Sequence, residues 1–266
     1  MNRQILDDEV RKANKELHDI EASCYDILHN EIWNFCEQTR TRQDLKKIIE
    51  MIKKETLNVL DVGAGTGNLA LKFLSNENVV TALDISERML EVLSNKIHNR
   101  FRNCITLICG DVAEFLLETK QKYDVICFSA VLHHLPDYLY TLDQAILKLN
   151  EGGVIYITHE PLPRKNSFVY HNLGRVFGLI DSYLNLLRLS KYSKRGLPNL
   201  DYSISDIHSK EGINPKKIIA FLESKGMGIT SYKEYGTYKS GIISIFGTFF
   251  SDRKNFKLIA KKSKNA

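Results

Sequence analysis

Long hydrophobic runs are missing from this sequence. The longest apolar stretch, Gly241 to Phe250, is interrupted by Ser244, Gly247 and Thr248 and falls far short of the roughly 20 residues that a bilayer-spanning helix needs. It reads as a strand. The opening Met1-Asn2-Arg3-Gln4-Ile5-Leu6-Asp7-Asp8 has no apolar block of the kind a secretory leader carries, so a cytoplasmic protein with no transmembrane segment is expected. Cysteine is sparse. The five (Cys24, Cys36, Cys104, Cys109 and Cys127) are odd in number and contain no C-x-x-C spacing, which speaks against a disulfide framework and against a zinc knuckle. Buried, reduced thiols are expected, with Cys109 and Cys127 inside apolar strand runs. No metal is expected either, because the adjacent His133 and His134 point apart in a turn and do not have zinc spacing. Internal repeats and low-complexity segments are absent.

What is present suits a sizeable α/β unit. The 266 residues are 43% hydrophobic, enough for a full core in one large domain with an insertion. The net charge of +5 conceals a split. Residues 1–160 hold 18 basic and 25 acidic side chains, and residues 161–266 hold 19 and 7. The basic half suits an acidic partner such as a nucleic acid, an anionic lipid surface, or an anionic or amphipathic acceptor; the lysines are also scattered enough to be a solvated face.

Val59-Leu60-Asp61-Val62 reads as a strand running into Gly63-Ala64-Gly65-Thr66-Gly67-Asn68 and then a helix. A strand, a glycine-rich turn and a helix form a nucleoside-binding corner. Glycine tolerates φ > 0 and lets a ligand approach the backbone, while the helix start offers unpaired N–H groups. The spacing departs from the dinucleotide pattern G-x-G-x-x-G, whose third glycine would fall on Asn68. Further strand–helix pairs follow: Val79–Asp84, Ile105–Cys109, Tyr123–Phe128 and Gly153–Thr158 alternate with helix-prone stretches. This alternation implies a parallel sheet covered on both faces, with ligands beyond the carboxyl ends of the strands. Asp61, Asp84, Asp111 and Ser129 all lie at or just after such ends. Asp84, about twenty residues past the loop, is placed to accept from ribose hydroxyls.

The ordered set resembles the class I S-adenosylmethionine (SAM) dependent methyltransferases. Asp61-x-Gly63-x-Gly65-x-Gly67 is similar to their first motif. Asp84-Ile85-Ser86-Glu87-Arg88-Met89-Leu90, Val131-Leu132-His133-His134-Leu135 and Glu151-Gly152-Gly153-Val154-Ile155-Tyr156-Ile157 resemble the subgroup related to ubiquinone and menaquinone C-methylases and other small-molecule methyltransferases. The resemblance implies a doubly wound, mostly parallel seven-stranded sheet. It divides the chain into an N-terminal helical cap (1–56), a cofactor-binding core (57–160), a helical lid inserted after the fifth strand (161–212), a last helix with a C-terminal hairpin (213–256) and a frayed basic tail (257–266).

It also implies SAM as cofactor and S-adenosylhomocysteine (SAH) as product. Asp111 would accept from the adenine amino group, Ile85 would flank the adenine, backbone near Ser129 would meet the methionine end, and Asp61 would lie near the cationic groups. Gly63, Ala64, Gly65, Gly67, Asp84, Met89 and Val112 complete the expected cofactor-binding set. A base for an acceptor hydroxyl is sought among His133, His134, His159 and Glu160. Tyr25, in Ala22-Ser23-Cys24-Tyr25-Asp26, resembles a tyrosine that closes over cofactor or acceptor. His133, Glu160 and Tyr25 are the leading catalytic candidates. In the expected lid, Arg164, Lys165, Arg175 and Arg188 would hold an anionic acceptor. The expected activity is methyl transfer to a small or medium organic acceptor, oxygen ahead of nitrogen and carbon. An RNA methyltransferase is the alternative suggested by the basic half, weakened by the lack of an RNA-binding module. A non-catalytic SAM-binding regulatory subunit is another.

Overall fold

The computed structural model describes residues 3–163, 168–190, 208, 212–250 and 254–263. Its centre is a seven-stranded sheet in the order β3-β2-β1-β4-β5-β7-β6. Strands β1 (Asn58–Val62), β2 (Val79–Asp84), β3 (Ile105–Cys109), β4 (Tyr123–Ser129) and β5 (Leu149–Pro161) run parallel. β7 (Lys254–Lys262) is antiparallel to both β5 and β6 (Met227–Gly236). The order reverses between β1 and β4, where an open sheet of this kind has its ligand crevice.

Side-chain alternation along the strands feeds two cores. Leu60, Val62, Ile126 and Phe128 face the side covered by α7 (Val112–Glu118), α8 (Tyr138–Leu147) and α10 (Pro215–Ser224), among buried Leu116, Leu142, Ile218 and Leu222. Val59, Val125, Cys127 and Tyr156 face α4 (Phe35–Ile52), α5 (Ala70–Leu74) and α6 (Glu87–Lys96), among Leu45, Ile48, Phe73 and Leu93. Each such side chain contributes about 1.5–3 kcal/mol on burial. Polar residues start the helices as their types prefer. Ser86 accepts from the Met89 N–H, Asp111 from Ala113 and Glu114, and Asn214 from Lys216 ahead of Pro215 at the first helical turn. The N-terminal region is helical as expected, broken into α1 (Arg3–Glu21), α2 (Tyr25–Leu28), α3 (Asn30–Trp33) and α4. The insertion after β5 carries α9 (Phe168–Leu189). Among the described residues, no helix is long and apolar enough to cross a membrane.

Three expectations are corrected. Gly241–Phe250 is a helix, α11, and not a strand. The stretch beginning at Lys257 is no frayed tail: it belongs to β7, the penultimate strand, which replaces the expected final hairpin partner. Buried Lys257 is held there by Asp44, its Nζ 2.6 and 2.7 Å from the two carboxylate oxygens. Removing either partner would strand a buried charge, at about 3–5 kcal/mol. Finally, Cys127 is buried but Cys109 is exposed, because β3 is the edge strand.

Candidate functional site

The glycine loop joins β1 to α5 with three positive φ angles: +63° at Gly63, +52° at Gly65 and +95° at Gly67. The three glycines serve different ends. A Cβ on Gly63 would meet Val131 Cγ2 at 2.3 Å, and one on Gly67 would meet Leu93 Cδ1 at 2.3 Å; one on Gly65 would meet nothing within 4 Å. Gly63 and Gly67 are therefore small for packing, and Gly65 alone opens onto empty space. The loop is tied to the end of β2. Ala64 N–H donates to the Leu83 carbonyl at 3.0 Å, and Gly65 N–H to Asp84 Oδ2 at 2.7 Å. The other Asp84 oxygen accepts from Ser86 N–H at 2.9 Å. Burial raises the Asp84 pKa against those hydrogen bonds. Asp61 accepts from Ala70 N–H at 2.9 Å, and burial pushes it up to about 7. A cationic ligand nearby would favour the charged form of both carboxyls.

A cavity of about 450 Å³ opens above the strand ends. Of the expected residues, it is lined by Gly63, Gly65, Asp84, Ile85, Met89, Asp111, Val112, Ser129 and Tyr25. Gly110 also lines it, and a Cβ there would again meet nothing within 4 Å. Asp61, Ala64 and Gly67 are buried and do not line it. On the far side lie Leu135, Pro136, Tyr140 and Thr141, from the turn after β4 and the start of α8.

The expected catalytic residues divide. Glu160 does not line the cavity. Fully buried, it accepts from the backbone N–H of Val131 (2.8 Å), Leu132 (2.9 Å) and His133 (3.2 Å), and it meets His133 Nδ1 at 2.9 Å. That carboxylate builds the turn after β4. His133, held by it, is likewise not among the lining residues, whereas His134 is. His159 is buried at φ +60° with Nδ1 3.1 Å from the Tyr235 hydroxyl, and burial pushes its pKa down to about 3. It does not line the cavity. Tyr25 faces the cavity with its ring against His29, centroids 4.3 Å apart.

The roof comes from α1: Asp7, Arg11, Asn14 and His18. Arg11 Nε lies 3.2 Å from Asp111 Oδ2. Asn14 is buried, its amide donates to the Val10 carbonyl, and its Oδ1 has no partner. These positions are spaced four, three and four apart, a polar stripe on one helical face. That stripe was the available signal, hidden behind the apolar stripe Leu6, Val10, Ala13 and Leu17. No described residue of the expected lid lines the cavity; residues 164–167 and 191–207, with Arg164 and Lys165, lie outside the described residues.

Residues 53–181 match the family model of a methyltransferase domain. By that match, residues 53–181 carry a methyltransferase domain. Its fold agrees with that of a magnesium protoporphyrin IX methyltransferase from Synechocystis PCC 6803, solved with bound SAH, at a TM-score of 0.59. The two are 15% identical, and the match covers 96% of this chain and 100% of the other. The methyltransferase domain is also 30% identical over 114 residues to a ubiquinone biosynthesis O-methyltransferase from Coxiella burnetii, covering 43% of this chain and 48% of that enzyme. An rRNA adenine N-6-methyltransferase from Streptococcus sanguinis is 24% identical over 146 residues, covering 54% and 57%. The chain thus spans about half the length of these curated relatives.

Proposed function

We propose that this chain transfers the methyl group of SAM to a small or medium organic acceptor, oxygen ahead of nitrogen and carbon, and releases SAH. The observation that carries the reading is the cavity floor. Gly65 and Gly110 are bare of any neighbour where a Cβ would stand, and between them lies the Asp84 carboxylate. The residues fit the cofactor's chemistry. Asp84 keeps lone pairs for vicinal hydroxyls beyond its two backbone donors. Asp111 has Oδ1 committed to capping α7, with Oδ2 facing Arg11. The unpartnered Asn14 Oδ1 seeks a donor from within the cavity.

The sulfonium supplies an activated methyl group when bound. The protein contributes alignment and exclusion of water. The Glu160 carboxylate fixes the turn carrying His134, the imidazole on the cavity wall that can take a proton from an acceptor hydroxyl. Tyr25 and the α1 stripe close the opposite side. Calorimetry with SAM and SAH, followed by transfer of labelled methyl groups into the small-molecule fraction of a cell extract, tests the reading. SAM binding without turnover would instead support the regulatory subunit.

A second reading, methylation of RNA, draws on the rRNA methyltransferase relative and on the basic residues after 160. The segment after β4, Phe128-Ser129-Ala130-Val131, lacks the Asn/Asp-Pro-Pro-Tyr/Phe signature of enzymes that methylate base amino groups. Tight, salt-dependent RNA binding would favour this reading over the first.

A further inference from the structure

Two helices of this protein are built inside out. On α9 the positions turned inward are Gly174, Gly178 and Asp181, all buried, with Asn185 and Arg188 half-buried beside them. Outward stand Val176 (53% exposed), Leu179 (73%), Tyr183 (62%), Leu186 (65%) and Leu187 (51%). α11 repeats the pattern. Ser244 and Gly247 are buried, and Ile242 (68%), Ile245 (49%) and Phe246 (51%) face out. A surface helix ordinarily does the reverse.

The inward polar groups are consumed by the fold. Asp181 accepts from the backbone N–H of Lys239 (3.0 Å) and Ser240 (2.6 Å). Ser244 Oγ accepts from Tyr238 N–H and donates to the Tyr238 carbonyl, both at 3.0 Å. Thr248 Oγ1 accepts from Gly236 N–H at 2.7 Å. Slipping either helix to hide its apolar face would leave those groups unpaired, so the outward face is specified by the fold. The two helices pack together, and each leaves a row of large apolar side chains exposed, where a monomer's apolar patches ordinarily reach only a few hundred Å².

Charge selects the occupant. Residues 161–200 contain seven basic side chains and one acidic one, and that acid is the buried Asp181. In sequence α9 is bracketed by Arg164 and Lys165 before it and by Lys191, Lys194 and Arg195 after it; α11 contains no charged residue and is followed by Asp252, Arg253 and Lys254, one acid and two bases. A second copy docked face to face would bring like charges together. An anionic lipid surface accepts both features, since apolar side chains enter the acyl boundary while lysines and arginines meet the headgroups. We propose that α9 and α11 together seat this protein on anionic membranes, lying on the surface without crossing it.

The test is co-sedimentation of the full chain with vesicles of phosphatidylcholine alone or with about one-third phosphatidylglycerol. Wild type is expected to bind the mixed vesicles, more weakly in 0.5 M salt, at the roughly 3–5 Å screening length that such salt gives. The double variant Leu179→Asn/Ile242→Asn, changed only at exposed positions, is expected to bind at least about tenfold more weakly with unaltered Tm. No binding by wild type, equal binding to neutral vesicles, or undiminished binding by the variant overturns the proposal. So does a wild-type dimer in sedimentation equilibrium that the variant dissociates, which would make this face a contact between copies. Methyl transfer is not involved in any of these readouts.

Discussion

Adding one methyl group to the glycine loop separates ligand approach from folding. In Gly65→Ala the new Cβ meets no protein atom within 4 Å. The fold therefore bears only the cost of a non-glycine residue at φ +52°, about 1–2 kcal/mol, which for a chain of this size is a loss of roughly 2–8 °C in Tm. The methyl projects into the cavity. Overpacking of that kind costs typically 1–3 kcal/mol, so SAH affinity should fall about tenfold or more, and further in Gly65→Val. Gly63→Ala is the control: its Cβ would stand 2.3 Å from Val131 Cγ2, so the penalty falls mainly on stability, and Val131→Ala should restore part of it. Scanning fluorimetry and calorimetry on the same samples read both quantities. Unchanged SAH affinity in Gly65→Ala would refute the claim that a ligand presses on this backbone, whatever the stability.

Asp84→Asn removes the charge and leaves one of its two backbone donors, Gly65 or Ser86 N–H, facing an amide NH2, and should weaken SAH by about 1.5–3 kcal/mol, or 10- to 150-fold; calorimetry showing no change ends the ribose assignment. His134→Ala should lower kcat by about 10²–10⁴ with SAH affinity preserved, whereas Glu160→Ala should act first on Tm, because three backbone N–H groups lose their acceptor. Full kcat in His134→Ala excludes it as the base. The α1–α2 junction should give stability a pH signature. Burial would lower the His29 pKa, but Glu21 and Glu31 at 3.0 Å raise it to about 9. Glu21, despite burial, is held at about 2 by His18 and His29. The histidine's contribution is complete below its ordinary 6.5 and fades as pH climbs through about 9; the glutamate's is complete above its ordinary 4.5 and fades as pH falls toward 2. Melting temperature should be highest between those two ordinary values, and Glu21→Gln should flatten the alkaline decline; a wild-type Tm constant from pH 6 to 9 contradicts this.

The first five strands were legible because each is an apolar run ending in a polar or glycine residue at the ligand end, so strand and site share one signal. Residues 241–262 were not. The apolar, β-branched and aromatic run Gly241–Phe250 suits a strand by composition, yet Ile242, Ile245, Phe246 and Phe249 have helical spacing; short apolar runs leave this ambiguous. In β7, Phe256, Leu258 and Ala260 alternate as a strand should, but flanking lysines disguised them. Lys257 is tolerable inside only because Asp44, 213 residues earlier, neutralises it, and no local pattern reports such a partner. The same limit applies to the catalytic candidates. Glu160 and His133 attract notice as residue types, but only three-dimensional placement shows that they brace the turn which presents His134.

The position of β7 also bears on how the chain is made. β5 is completed on one side by β4, and on the other only by residues 254–262. At about 5–20 residues per second of synthesis, the 92 residues between Pro161 and Lys254 leave that edge open for roughly 5–20 s. During this interval an apolar strand offers unpaired N–H and C=O groups to any neighbouring chain, and β6, made in the last third of it, waits for the same partner. The nascent chain is thus open to edge-to-edge association once β1–β5 have formed and until β7 is made.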